Sequence, residues 1–249
     1  MIRMSLFSAL LLLGTGVEPT MSQSMHDRIA RVSEFITDQI ESGNAPGIQY
    51  RVLHADSTLF SFAGGLADIS TGRPVEESTT MMLYSMSKTI TAAAVLQLVD
   101  RGMISLDDPI TKYLSDIPYG EEVHVRHLLA QCSGIPNPIP LRWVHLVGEH
   151  AGFDEEAALQ KVLGDNRELN SPPGEKYAYS NISYWLLGRL IEKVTGAGYA
   201  EYVRENIFQR LEIPESEIGV EIPSPRHHAK GYLPKWSFLN LFKTFLIDP

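Results

Sequence analysis

Residues 84–89 are Tyr84-Ser85-Met86-Ser87-Lys88-Thr89, and they lead into an apolar stretch, residues 89–99, that is typical of a core helix. Side chains three residues apart share one face of a helix, so the Ser85 hydroxyl and the Lys88 amine are expected to meet. A serine is a weak nucleophile without a neighbouring base, and a lysine can be that base where burial lowers its pKa. The stretch therefore predicts a serine nucleophile activated by Lys88.

The Ser-x-x-Lys spacing has a second interpretation that this stretch alone leaves open. Roughly one match is expected by chance in a chain of this length. A serine that caps a helix, followed one turn later by a solvated lysine, has the same spacing. The rest of the sequence has to distinguish the two interpretations.

Composition narrows the class of protein. The chain has 249 residues, of which 44% are hydrophobic and 20% charged, as in a globular protein of one or two domains with a sizeable core. The formal net charge is −9 and there is no basic stripe, so a nucleic-acid partner is not expected. Cys132 is the single cysteine, which excludes an intrachain disulfide.

The N-terminus has the features of an export signal. Arg3 precedes an apolar segment, residues 6–13, and small residues surround Gln23. We expect residues 1–24 to be a signal peptide and the protein to be periplasmic or secreted; translation from Met21 or Met25 would instead leave it cytoplasmic. The apolar segment is too short to span a bilayer, and no stable membrane span is expected elsewhere.

Hydrophobic periodicity predicts an α/β chain of the α+β type, with a helix and hairpin over residues 25–80 and a mainly helical region over residues 81–249. The hairpin strands are expected at residues 48–54 and 58–63, with loops at Gly64-Gly65 and at residues 71–74. Further helices are expected at residues 25–41, 125–129, 154–162, 182–194 and 199–211.

A second pattern, Tyr179-Ser180-Asn181, opens the helix predicted at residues 182–194. A tyrosine beside a lysine ammonium has a lowered pKa and can act as a general base. The asparagine can hold a lysine or a substrate amide through its oxygen and its NH₂ group. The alternative is an interior tyrosine followed by a helix-capping residue.

Taken together, Ser85-x-x-Lys88 and Tyr179-x-Asn181 are far more specific than either alone. Residues 25–232 resemble the serine β-lactamase superfamily of class C type, both in these two motifs and in the stretches at residues 102–109 and 127–136. That group includes class C β-lactamases, D-alanyl-D-alanine carboxypeptidases and β-lactamase-like esterases. The resemblance implies a β-lactamase/transpeptidase-like fold, an antiparallel sheet with flanking helices plus a helical domain.

The resemblance also implies roles for the site residues. Ser85 would form an acyl-enzyme, Lys88 would hydrogen-bond to it, Tyr179 would move the proton, and Asn181 would orient Lys88 and the substrate amide. The expected activity is that of a serine hydrolase acting on an ester, amide or β-lactam carbonyl of a small-molecule or peptidoglycan-like substrate. No metal or organic cofactor is expected, because the family chemistry needs none.

A third family motif is missing from this sequence. Lys-Thr-Gly or His-x-Gly is expected on a strand downstream of Tyr179, but Lys243-Thr244 is followed by phenylalanine. We therefore expect a C-terminally truncated chain whose late strands are absent and whose sheet is incomplete. The alternative function is a non-catalytic relative, or a fragment that needs complementation by another chain.

Overall fold

The computed structural model describes residues 21–138, 147–222 and 224–232. The described chain forms two compact units. Residues 21–79 and 228–232 make up the first, called here the sheet unit, and residues 80–227 make up the second, the helical unit. The predicted signal peptide lies outside the described residues except for its last four positions, and Lys243-Thr244 lies outside them entirely.

The described residues of the sheet unit form one helix and three antiparallel strands. Helix α1 (Met21–Glu41) begins four residues before the predicted start and precedes β1 (Gly47–His54), β2 (Ser57–Asp68) and β3 (Arg73–Pro74). The strand order is β1-β2-β3. The hairpin between β1 and β2 turns at Ala55, whose φ of +47° lies in the left-handed region. A bulge between Val52 and Leu53 shifts the register of the pair.

The prediction of a loop at Gly64-Gly65 is wrong, because both residues lie inside β2, where Gly64 pairs with Ile48. Two adjacent glycines usually interrupt a strand. Here Gly65 has a φ of +78°, and a Cβ atom on it would lie 2.4 Å from the carbonyl oxygen of Pro46. The glycine therefore lets the backbones approach closely. The loop predicted at residues 71–74 is also shorter than expected, because β3 pairs with the end of β2.

Residues 228–232 bind to the end of β2 through a buried carboxylate. Asp68 is almost fully buried, and Lys230 pairs with it at 2.8 Å while donating its backbone N–H to Ala67. Hydrogen bonds from Lys230 and Ser70 hold the pKa of Asp68 well below its usual range. A buried charge is tolerated because it is paired and hydrogen-bonded in this way.

The described residues of the helical unit form five α-helices, together with 3-10 turns and one π-helical turn. The α-helices are α2 (Ser87–Asp100), α3 (Val125–Leu129), α4 (Glu155–Asp165), α5 (Asn181–Thr195) and α6 (Tyr199–Val203). The 3-10 turns lie at Tyr84–Met86, Ile110–Lys112, Val147–Gly152 and Gln209–Leu211. The helix predicted over residues 199–211 is divided, since a π-helical turn (Arg204–Phe208) follows α6.

Helix α5 is the centre of the core of this unit. Its residues Ile182, Leu186 and Leu190 are fully buried, as the predicted stripe requires. The sequence pattern also starts and stops the helix: Ser180 caps the N-terminus by accepting a hydrogen bond from the Ser183 N–H, and Gly196 ends it with a φ of +73°. Buried side chains of α2, α3, α4 and α6, of the π-helical turn and of the connecting segments pack in the same core.

Helix α2 differs from the prediction of a helix buried all round. Thr91, Ala94, Val95 and Leu98 are buried, but Leu96 is 45% exposed. Only one face of α2 therefore contributes to the core of the helical unit. The sequence of α2 is apolar on both faces of the helix, so hydrophobic periodicity could not indicate which face is buried in the core.

The fold class is confirmed, since the chain combines an antiparallel sheet with a group of helices. Within the part of the chain that the structure describes, none of the helices is both long enough and apolar enough to cross a membrane.

Candidate active site

Ser85 lies in the 3-10 turn that leads into α2, and Lys88 lies in the first turn of α2. The Lys88 Nζ atom donates a hydrogen bond to the Ser85 Oγ atom at 3.4 Å. The helical spacing therefore brings the two side chains together as expected.

Tyr179 and Asn181 are placed in the same site by the start of α5. The Tyr179 hydroxyl lies 2.8 Å from Ser85 Oγ, and the Asn181 Oδ1 atom accepts hydrogen bonds from Lys88 at 2.9 Å and from Tyr179 at 3.2 Å. All four side chains predicted for the site are thus linked in one hydrogen-bonded group. The Ser85-x-x-Lys88 and Tyr179-x-Asn181 patterns are more than 90 residues apart in the chain. They meet in one site because α2 packs against α5.

The electrostatic environment of Tyr179 favours proton transfer. Burial raises the pKa of its phenol, but hydrogen bonds with Lys88 and Ser85 and the positive charge of Lys88 lower it more, so the net pKa lies below the ordinary value. The Lys88 ammonium lies 5.0 Å from the centre of the Tyr179 ring and 5.7 Å from that of Tyr184. These rings attract the positive charge and keep it in the site.

The loop after α3 holds Tyr179 in place on both sides, and this was not predicted. Gln131 accepts the Ala178 N–H with its backbone oxygen at 2.7 Å and the Ser180 N–H with its side-chain oxygen at 2.7 Å. Gln131 is buried and has a φ of +55°. The position of Gln131 within residues 127–136 does not indicate this role, because the sequence shows neither its burial nor its distant partners.

Asn137 was also missed. Its Oδ1 atom accepts the backbone N–H of Asn181 at 3.0 Å and the side-chain Nδ2 of Asn181 at 3.1 Å. The sequence alone showed only an asparagine between two prolines, which is typical of a turn.

The backbone next to Ser85 is strained. Tyr84 has a φ of +44°, which costs a non-glycine residue about 1–3 kcal/mol, and its side chain is 74% exposed. Ser87 stabilises this conformation by donating a hydrogen bond to the Tyr84 carbonyl at 2.7 Å. Strain of this kind is concentrated at functional sites.

A metal site needs several His, Cys, Asp or Glu side chains in one place. Across residues 21–138, 147–222 and 224–232, no three His, Cys, Asp or Glu side chains are grouped so that they could hold a metal ion.

The family model for Beta-lactamase matches residues 32–239, so the chain belongs to the Beta-lactamase family. Among curated proteins, it is 26% identical over 216 residues to Protein flp of Staphylococcus aureus (strain MW2), covering 83% of this chain and 42% of the relative. The chain therefore spans less than half the length of this relative.

Two solved structures share the fold. The octameric penicillin-binding protein homologue from Pyrococcus abyssi aligns with a TM-score of 0.64 and 27% identity, over 82% of this chain and 48% of that one. EstCE1, described as a hydrolase with promiscuous acyltransferase activity, aligns with a TM-score of 0.71 and 19% identity, over 84% and 57% respectively. The second likeness shows the fold alone.

Proposed function

We propose that this protein is a serine hydrolase that forms an acyl-enzyme on an ester, amide or β-lactam carbonyl. The observation that carries the proposal is the 2.8 Å hydrogen bond between the Ser85 and Tyr179 hydroxyls, beside the Lys88 ammonium. A nucleophile within hydrogen-bond reach of a base, with that base held by a third group, is the arrangement that nucleophilic catalysis needs.

In the proposed reaction, ionised Tyr179 accepts the proton of Ser85 as the Oγ atom attacks the substrate carbonyl carbon. The carbonyl π electrons move to oxygen and form a tetrahedral intermediate. As the intermediate collapses, the bond to the leaving group breaks and Tyr179 returns the proton to that group. Water then attacks the Ser85 ester, Tyr179 takes the water proton, and Ser85 leaves with it.

Lys88 and Asn181 support this proton transfer. The lysine ammonium lowers the pKa of Tyr179 and so raises the fraction of phenolate available as base. Asn181 accepts a hydrogen bond from Lys88 and keeps its ammonium beside both hydroxyls. We infer that the remaining amide N–H of Asn181 binds a carbonyl oxygen of the substrate.

The family and the chemistry of the site support an acyl substrate. An acyl donor is required, because Ser85 has to form an ester with the acyl group and then release it. The family membership and the similarity to a penicillin-binding protein homologue support small-molecule or peptidoglycan-like acyl substrates.

The decisive experiment measures intact mass after incubation with a penicillin and, separately, with an activated p-nitrophenyl ester. Ser85→Ala should abolish the adduct, whereas the control Ser115→Ala should retain it, because Ser115 is exposed and its hydroxyl bonds to Asp116 and not to Tyr179. The acyl donor that reacts identifies the substrate class.

Absence of an adduct from folded wild-type protein would favour a non-catalytic role, or complementation by a second chain. One observation keeps that alternative: the chain spans 42% of the length of its curated relative. Restoration of the adduct by a second chain that carries a Lys-Thr-Gly or His-x-Gly segment would identify complementation.

We also propose that residues 1–24 direct export, on the basis of Arg3 and the apolar segment after it. Cell fractionation of the full chain and of a form starting at Met25 tests this. Export of the full chain alone is expected, and equal retention of both forms in the cytoplasm would contradict it.

A further inference from the structure

The side-chain amide of Asn181 has two ends of similar shape and opposite hydrogen-bonding character. Its oxygen accepts hydrogen bonds, and its NH₂ group donates them. Which end faces Lys88 and Tyr179 decides whether Asn181 attracts the ammonium or repels it. The orientation is thus a functional property of the site, and something in the structure has to determine it.

Asn137 determines it through two hydrogen bonds. The backbone N–H of Asn181 is only a donor, so the Asn137 atom that lies 3.0 Å from it is an oxygen acceptor. The same oxygen lies 3.1 Å from the side chain of Asn181, which therefore presents its NH₂ group to Asn137. The amide oxygen of Asn181 then has to point the other way.

The contact of Asn181 with Lys88 independently requires the same orientation of the Asn181 amide. The Lys88 ammonium is only a donor, and it lies 2.9 Å from Asn181, so the atom that faces it is the oxygen. A reversed Asn181 amide would place its NH₂ group against the Lys88 ammonium and its oxygen against the Asn137 oxygen, and it would lose the bonds at both ends. Asn137 and Lys88 thus select one orientation of Asn181.

We propose that Asn137 is a positioning residue, which acts through Asn181 to hold the Lys88 ammonium beside Ser85 and Tyr179. The inference rests on the proposed acyl-enzyme function. The preceding residue holds Asn137 beside the start of α5, since the Pro136 carbonyl accepts a hydrogen bond from the buried Ser180 hydroxyl at 3.0 Å. Asn137 is exposed, so its replacement should leave the core intact.

The test compares Asn137→Ala, which removes the acceptor, with Asn137→Asp, which keeps an acceptor oxygen of the same shape. We expect Asn137→Ala to lower the acylation rate constant at saturating p-nitrophenyl ester about 10- to 100-fold, with a much smaller change in KM. We expect Asn137→Asp to recover most of that rate at higher pH, because its carboxylate disfavours the Tyr179 phenolate nearby. A purely structural role would not move the pH profile.

A second readout does not depend on activity. The pKa of Tyr179 is measured by NMR of tyrosine labelled at Cζ, with the resonance assigned by Tyr179→Phe. In Asn137→Ala it should rise toward the ordinary value, because the Lys88 ammonium is no longer held beside the phenol. In an Asn181→Ala background, Asn137→Ala should have no further effect, since its partner is already gone.

The two readouts separate the inference from the proposed function. If the wild type is not acylated but the Tyr179 pKa responds to Asn137 only when Asn181 is present, the positioning role stands and the hydrolase proposal fails. If Asn137→Ala leaves the pKa unchanged, or shifts it equally in the Asn181→Ala background, the positioning role is overturned.

Discussion

The two units of this protein differ in how they are stabilised. In the described part of the helical unit, 22 buried hydrophobic residues form one continuous cluster around α5. Among the described residues of the sheet unit, the buried hydrophobic side chains are Ile36, Ala67 and Val75, and the sheet exposes Tyr50, Leu53 and Leu59. One unit depends on side-chain packing, whereas the other depends on backbone pairing and on the Asp68 ion pair.

This difference explains where the candidate site is found. Groups that react must be held to within a fraction of an ångström, and such precision comes from elements whose side chains are locked by packing. The described site residues all belong to the helical unit, at the ends of α2 and α5. We therefore expect chemistry and stability to respond differently to substitutions in the two units.

The largest expected effect is on chemistry alone. Tyr179→Phe should lower the rate of acyl-enzyme formation about 10²- to 10⁴-fold, because it removes the general base and leaves the ring in place. Tyr177→Phe is the matched control, since Tyr177 is 72% exposed and lies two residues earlier. Single-turnover kinetics with an activated ester measures both. Equal rates for the two variants would show that the Tyr179 hydroxyl is not the base.

The next largest effect is on stability, and it contrasts a buried leucine of the helical unit with an exposed leucine of the sheet unit. Leu186→Ala should lower the free energy of unfolding by about 2–5 kcal/mol, because it leaves a cavity at a fully buried position of α5. Leu53→Ala, at a position 65% exposed in β1, should change it by less than about 0.5 kcal/mol. Urea unfolding provides both values. A large loss from Leu53→Ala would reveal that the sheet face is covered in solution.

A smaller effect tests the close approach of backbones in the sheet unit. Gly65→Ala should destabilise this unit by about 1–3 kcal/mol, because its φ is positive and its Cβ would meet the Pro46 oxygen. Gly72→Ala shares the positive φ but meets no atom within 4 Å, so its cost should be about 1 kcal/mol. Hydrogen exchange of the β1 and β2 amides measures the loss. Identical costs would mean that strain alone, without the contact, determines the requirement for glycine.

The smallest effect concerns the acid stability of the helical unit. Three hydrogen bonds to Asp108 lower the pKa of its carboxyl group to about 2. The largest contribution comes from Tyr113, followed by Lys112 and the Ser105 N–H. A carboxyl group whose pKa is lower when folded stabilises the protein above its unfolded pKa, and that stabilisation is lost as the pH falls toward 2. Asp108→Asn should therefore flatten the decrease of the free energy of unfolding between about pH 5 and pH 2. Tyr113→Phe should flatten it partly, and an unaltered slope in both variants would contradict this assignment.

The sequence predicted those parts of the site that depend on local spacing. Ser85 and Lys88 meet because they are three residues apart at the start of a helix, and Tyr179 and Asn181 flank a residue that caps the next helix. The family resemblance rested on these spacings, and the fold class followed from it. Hydrophobic periodicity likewise located α4 and α5, because each has a strong cap and a buried stripe.

The remaining features depend on contacts between distant segments. Gly64-Gly65 indicated a loop, because the sequence does not show that Pro46 lies against that position. Gln131 and Asn137 were missed because their partners lie 44 or more residues away, and neither carries a reactive group. An amide that orients another residue leaves no pattern at short range, so only the folded chain reveals it.

The cap of α5 has a consequence for the lifetime of the active site. Ser180 lies between Tyr179 and Asn181, and its buried side chain both accepts the Ser183 N–H and donates to the Pro136 carbonyl. Any fluctuation that frays the first turn of α5 thus separates Tyr179 and Asn181 from Ser85 and Lys88 in a single event. The interval between such openings, rather than global unfolding, would set how long the site stays assembled when the protein is heated.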